Sequence, residues 1–386
     1  MRIKLLHRDL GFSLIELLVG MVMGVIVLLI IMQSLVVAEQ YKRTATNGSD
    51  AQTNGLMALH TLEAEIRMSG AGTNNGANLC PAVNGYYNGV GVTSKIGMPV
   101  RITDGTTTAL NHSDSIETTY SSSLTGAAPS HITTAMPTPS NVTRVNTVSG
   151  MHDCDFVMFA SKDGTKTCSM LQITSVSNNG FQFLTGSGQS NYNPPGGAQG
   201  ALFPAGGYNT DDIIINLGSN VDRKFSVVKD GTNDKFYLQQ RNMNAANSGC
   251  GTQDANPTLN AVSNVVNIQA QYGVAPANSQ EVSCWTSAAA GDTGCGITSG
   301  ANWSAPPAAD VKRIKAVRMA VVVRSAIAEK PSSGSTCDTT TATHNMPISW
   351  QDGPEIDLTH VSNWQCYRYK VYQTVVPIIN VIWANT

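Results

Sequence analysis

Apolar residues crowd the start of this chain and further on give way to alternation. From Leu14 to Met32, nineteen residues carry a single charge, Glu16. That length suits a membrane-spanning helix, which needs about 20 predominantly apolar residues. A carboxylate in such a run costs about 2.5–3.5 kcal/mol near the helix centre on insertion scales, so Glu16 calls for a partner. From Glu39 to Arg67 helical character persists but becomes amphipathic. Leu56, Leu59, Leu62 and Ile66 recur three or four residues apart and make one apolar stripe. Ser69-Gly70-Ala71-Gly72 then stops the helix. The pattern predicts a single helix from Phe12 to Met68, about 85 Å long at about 1.5 Å per residue. No proline falls between Phe12 and Pro81, and Gly20 and Gly24 have the spacing that lets membrane helices approach closely.

Beyond Gly72 the period changes to that of strands separated by turns. The expected strands are Ser115–Tyr120, Asp155–Ala160, Ser169–Val176, Phe181–Thr185, Asp212–Leu217, Phe225–Val228, Lys235–Gln240 and Val265–Tyr272. Asp230-Gly-Thr-Asn-Asp234 predicts a hairpin, and Asn256-Pro257 a short helix or turn. Two long strands, Ile314–Ser325 and Gln365–Ile382, follow, the second broken at Pro377. Segments 186–210, 275–310 and 329–355 are rich in Gly, Ser, Pro and Ala and predict loops.

Composition places most of this outside the cytosol. Of 386 residues only 13% are charged and the net charge is −2, while Gly, Ser, Thr and Asn abound. Such a profile fits a loop-rich extracytoplasmic β protein. All eight cysteines (Cys80, Cys154, Cys168, Cys250, Cys284, Cys295, Cys337 and Cys366) follow the apolar run, and none forms Cys-x-x-Cys. An even count on the exported side implies up to four disulfides, with 105 possible pairings. Proximity along the chain favours Cys284–Cys295 and Cys337–Cys366, then Cys154–Cys168 and Cys80–Cys250.

Catalytic and ligand motifs are weak. There is no Gly-x-Ser-x-Gly elbow, P-loop or His-Glu-x-x-His, so neither catalytic residues nor a cofactor are expected. His152-Asp153-Cys154-Asp155 fits a loop leading into a strand. Asp230–Asp234 offers oxygen ligands for calcium, but without the spacing or terminal glutamate of an EF-hand it fits a hairpin turn better, so no metal is expected. Lys312, Arg313, Lys315, Arg318 and Arg324 form a basic cluster. Alternation puts Arg318 and Arg324 on one strand face, opposite Val317, Met319, Val321 and Val323. With few aromatics nearby and a pI near 6.4, no nucleic-acid partner is expected.

The junction before the apolar run is distinctive. Arg2, Lys4 and Arg8 against Asp9 leave a positive leader, which the positive-inside tendency keeps in the cytoplasm. Gly11-Phe12-Ser13-Leu14-Ile15-Glu16 then resembles the class III leader junction of type IV prepilins and type II secretion pseudopilins. The small residue precedes the apolar core, whereas an ordinary secretory signal has its small-residue site after it. The resemblance implies cleavage between Gly11 and Phe12 by a prepilin peptidase, N-methylation of Phe12, and a role for Glu16 in meeting the N-terminal amine of a neighbouring subunit. Two opposite charges that are costly singly in lipid become tolerable when paired.

A second resemblance lies in the C-terminal third, where Val265–Gly273, Ile314–Ser325 and Tyr367–Pro377 occur in the order seen in PilW-type minor pilins. The chain departs from that pattern at Ile378-Ile379-Asn380, where an arginine before the asparagine would be expected. The expected architecture is α+β and pilin-like, with a long N-terminal transmembrane and amphipathic helix packed on an antiparallel, disulfide-braced β-rich domain. Its parts would be a leader over 1–11, a transmembrane helix over 12–38, an amphipathic continuation over 39–69 and a globular domain over 70–386. The family implies a single-pass inner-membrane protein, N-terminus cytoplasmic and globular domain periplasmic, that later joins the pilus tip at the cell surface. Implied partners are the membrane, other minor pilins, the major pilin, the prepilin peptidase, the inner-membrane assembly platform and a tip adhesin. A large tip pseudopilin of type II secretion, and an adhesin or DNA-receptor minor pilin, are the alternatives.

Overall fold

The computed structural model describes residues 13–72, 80, 82–87, 91–95, 97–105, 113–123, 128–138, 140–186, 189–196, 199–219, 221–231, 234–243, 258–329, 331, 336–351 and 353–383. The chain forms two compact units, the first ending at Asp50 and the second beginning at Ala51. Helix α1, Leu14–Met68, supplies the described regular structure of the first and opens the second. In the first unit its apolar residues are exposed on every side. Leu14, Leu18, Met21, Val25, Leu28, Met32 and Leu35 are all about half exposed or more.

Two antiparallel sheets and the second part of α1 build the main core of the second unit. One sheet has five strands in the order β14 (Thr258–Ser263), β13 (Lys235–Asn242), β12 (Val221–Asp230), β4 (Ser115–Tyr120), β3 (Val100–Thr103). The other has four: β16 (Cys284–Thr286), β15 (Val265–Val274), β17 (Ile314–Arg324), β18 (Tyr369–Pro377). Ala58, Leu62 and Ile66 of the helix share this core with Ile116, Phe225, Phe236, Tyr272, Trp303, Met319 and Val321. Asp114, just before β4, stitches the sheets together. Its carboxylate accepts the N–H groups of Gly105 (2.9 Å) and Ala270 (2.7 Å), while its own N–H donates to Ile268 O (2.8 Å).

A separate lobe is inserted within the five-stranded sheet. β4 and β12 are hydrogen-bonded neighbours, with Tyr120 opposite Val221, yet residues 121–220 intervene between them. That segment, joined by β1 (Val83–Tyr87) and β2 (Gly91–Lys95), forms a six-stranded sheet ordered β2-β1-β8-β7-β11-β5. Here β5 is Ser130–His131, β7 Phe156–Ala160, β8 Cys168–Gln172 and β11 Ile213–Gly218. A three-stranded sheet of β6 (Val142–Arg144), β10 (Gln182–Leu184) and β9 (Ser175–Ser177) completes the lobe. Phe159, Phe183, Phe203 and Tyr208 cluster in its own core. The neck closes tightly. Ser122 N–H donates to Leu217 O (2.9 Å), the Ser122 and Ser219 hydroxyls meet at 2.7 Å, and Gly218 (φ +62°) turns where an added Cβ would strike Ser123.

Several expectations need correction. Cys168 bonds to Cys80, so Cys154–Cys168 and Cys80–Cys250 do not form. The cause is a parallel pairing of β1 with β8 that sets Val83 beside Cys168, bringing the cysteine Cα atoms to 5.7 Å. Cys284–Cys295 and Cys337–Cys366 are bonded to each other, and Cys154 is also in a disulfide; Cys250 lies outside the described residues. Gln365–Ile382 is not one strand: Trp364–Cys366 is a 3-10 turn, β18 ends at Pro377, and Ile379–Trp383 forms helix α3. Pro377 has no N–H with which to extend the ladder. The segment 275–310, expected to be loop, contains β16 and the start of a short helix α2, Ala308–Val311. The region of Asn256-Pro257 lies outside the described residues.

Candidate assembly site

The first turn of α1 carries Glu16, exposed, three residues after the first described residue, Ser13. A carboxylate there is favoured by the partial positive charge of the helix N-terminus. Among the described residues no cation lies within ion-pair distance of it. Gly11 and Phe12, which the junction resemblance singles out, lie outside the described residues. Leu14–Glu39 is long and apolar enough to cross a membrane, and none of that surface is buried within the chain.

In the second unit, α1 buries the end of the stripe that Leu59, Leu62 and Ile66 predict, but small residues, not Leu56, begin it. Ala51, Gly55, Ala58, Leu62, Glu65, Ile66 and Ser69 face inward, whereas Leu56 is 50% exposed. Small residues open this stripe because the sheet approaches closely; a Cβ on Gly55 would collide with the ring of Tyr372 on β18. Glu65 is the charged member. Its carboxylate takes Arg223 Nη1 of β12 at 2.6 Å and the Tyr120 hydroxyl at 3.1 Å. Burial, reinforced by the neighbouring Glu65 charge, pushes the Tyr120 hydroxyl up to about 12. The helix then ends on its neighbours. Gly70 (φ +78°) turns left-handed with its N–H on Thr119 O (2.9 Å), and Asn380 Nδ2 donates to Ser69 O (2.9 Å). Glu65, Gly55 and Asn380 thus fix the helix end, and only a lone glutamate at helical spacing from Leu62 and Ile66 hinted at this.

The basic cluster is dispersed among structural duties. β17 is buried on both faces, so the charged face that alternation suggested is covered instead of solvated. Arg318 lies between Trp285 and Trp350, 4.8 and 4.5 Å from the ring centres, and donates to Gln271 Oε1 (2.8 Å from Nε). Arg324 stacks on Tyr367 (4.3 Å) and pairs with Asp234 (3.2 Å). Arg313 is tied to the carbonyls of Ala275, Cys295 and Gly296, and Lys315 is buried. Asp234 is held by Lys229 (2.7 Å) as well as Arg324, at the turn of the β12–β13 hairpin. The His152–Asp155 turn is closed by Asp155 accepting His152 N–H (2.9 Å) and Asp153 accepting Val176 N–H (2.9 Å). Among the described residues, no group of three His, Cys, Asp or Glu side chains suits a metal ion.

Two comparisons bear on this arrangement. A prokaryotic N-terminal methylation motif matches residues 6–32, the leader junction and the apolar start of α1. A family model described as Type IV Pilus-assembly protein W matches residues 224–380, from within β12 to the asparagine that caps α1. Over these two stretches the chain is similar to PilW-type minor pilins with a class III leader. No curated protein and no solved structure matches it. Within the PilW match lie the four-stranded sheet, the Arg318 and Arg324 stacks, and Tyr372, against which Gly55 packs. The whole of the inserted lobe, together with β3 and β4, precedes the match.

Proposed function

We propose that this minor pilin is cleaved between Gly11 and Phe12, methylated on Phe12, and held in the inner membrane by α1 with its N-terminus cytoplasmic and its head periplasmic. It then enters the pilus at the tip, where it primes or caps assembly together with other minor pilins, next to the major pilin and the assembly platform. The observation that carries this reading is the surface of α1 from Leu14 to Val37, apolar all round and exposed in the isolated chain. Such a surface is stable only in lipid or against other apolar helices. Glu16 at its start then meets the amine of a neighbour, each charge offsetting the other's desolvation. A head enlarged by an inserted lobe is hard to repeat along a shaft, which supports a terminal position.

Processing and assembly separate the parts of this reading. Gly11→Ala should leave a full-length precursor, and Glu16→Ala should be processed normally yet be absent from sheared pili. Normal processing of Gly11→Ala removes the assigned junction, and wild-type incorporation of Glu16→Ala removes the charge-pairing role. Deletion should abolish piliation; retained pili with blocked enzyme secretion would favour the type II secretion alternative.

A further inference from the structure

The four-stranded sheet ends at β18, and its register shows which backbone groups of that strand face outward. Ser325 N–H donates to Arg368 O (2.8 Å) and Ile378 N–H to Lys315 O (2.8 Å), both in the register that sets Arg324 opposite Tyr369. Bonded pairs alternate in an antiparallel ladder. The even-numbered residues of β18 therefore bond to β17, and the odd-numbered ones turn N–H and C=O to the open side. Pro377 falls on an outward position, where a missing N–H costs the ladder nothing. Val371, Gln373 and Val375 point their amides outward, and none of these is hydrogen-bonded among the described residues. The nine-residue strand has no bulge in its pairing with β17. Its rim is apolar: Val375 is 55% exposed, and Ile348, whose carbonyl accepts the Gln373 amide, is 71% exposed.

We propose that the outer edge of β18 accepts an extended strand from a different polypeptide, apolar at alternate positions. Main-chain bonds to Val371, Gln373 and Val375 give affinity, and the Val371–Val375–Ile348 rim selects the side chains. A second copy of this chain is a poorer occupant. Antiparallel self-pairing about Gln373 would set Val371 opposite Val375, but it reverses the partner. As α1 proceeds from Gly55 to Ser69, its contacts advance from Tyr372 to Asn380, so this stretch of helix runs parallel to β18. Twofold antiparallel pairing would make the two helix stretches antiparallel, whereas chains inserted alike in one membrane need them co-directed. Parallel twofold pairing of this edge sets outward residues directly opposite outward residues, out of bonding register. The exclusion of a second copy rests on the membrane-anchored pilin reading above.

A benzophenone side chain at position 375 of the full chain, irradiated in piliated cells, tests the proposal, with the adduct sequenced by mass spectrometry. The expected product is an adduct within one extended segment of another polypeptide. Gln373→Pro, which removes an outward N–H and leaves the bonds to β17, should cut the yield about tenfold at unchanged melting temperature, as loss of one to two hydrogen bonds implies. Val371→Lys, which places a charge on the rim, should cut it similarly and serves if Gln373→Pro melts lower. No adduct, an adduct to lipid or to a second copy, or a yield that both variants leave intact would overturn the proposal. The N-terminus is read in the same samples. A chain beginning at Phe12 upholds the pilin reading whichever way the adduct falls, and one beginning at Met1 overturns that reading alone.

Discussion

Asp114 shows how a single side chain can set the behaviour of the head. It is buried between the two main sheets, and burial raises its carboxyl from 3.8 to about 7, against the opposing pull of the Gly105 and Ala270 N–H groups. The folded value exceeds the unfolded one, so the folded state binds the proton more tightly. The stability this residue contributes is therefore complete below pH 3.8 and is lost as the pH rises through about 7. The wild-type melting temperature should accordingly carry a downward component between about pH 4 and 7. Asp114→Asn, which cannot titrate, should flatten that slope whatever its absolute stability. An unchanged slope in thermal scans across this range would show that Asp114 stays ionised throughout.

At the scale of elements, helix α1 and strand β18 depend on each other through Gly55 and Tyr372. Gly55→Leu should destabilise the head by about 1–3 kcal/mol, the usual cost of overpacking. In a Tyr372→Ala background that cost should shrink, because the ring that the new side chain strikes is gone. Equal costs in both backgrounds, measured by chemical denaturation, would mean that the two do not pack. Gly55 also shows why the helix was only half legible from sequence. The 3.6-residue period and the Ser69-Gly70 stop place the element and its end, since both are written in side chains. The first half of the buried face was not, because leucine marks hydrophobicity, whereas close approach of a sheet selects Ala51, Gly55 and Ala58, which carry little of it; Leu62 and Ile66 were. Strands with alternating apolar residues, such as β4, β12 and β17, are legible, although β17 lies buried on both faces. Short strands such as β5 and β6, and the parallel contact that pairs Cys80 with Cys168, depend on partners far away in sequence. Glu16 and the junction before it are read from local chemistry alone, in a run of six residues. The Glu65–Arg223 pair is not, since 158 residues separate its members.

At the largest scale, the second unit is a helix-and-two-sheet body with a lobe grafted into one sheet. No described residue of 121–220 contributes to the main core, whose described members come from 51–116 and 225–381. A chain with 123–218 replaced by a short turn and Cys80→Ser should therefore retain one cooperative unfolding transition and the β4–β12 pairing. Loss of cooperativity in a denaturant titration would show that the lobe is integral to the body. The narrow neck at Ser122 and Leu217 also bears on the order of events during folding. β12 cannot find β4 until some hundred residues of intervening chain have been closed into a loop, an entropic barrier of about 4 kcal/mol for an unstructured segment of that length. Once the lobe has formed, its two ends already lie side by side, and most of that barrier is gone. A chain that folds as it is made, N-terminus first, would complete the lobe while β12 is still arriving. The insertion would then serve as the template on which the rest of the head is nucleated.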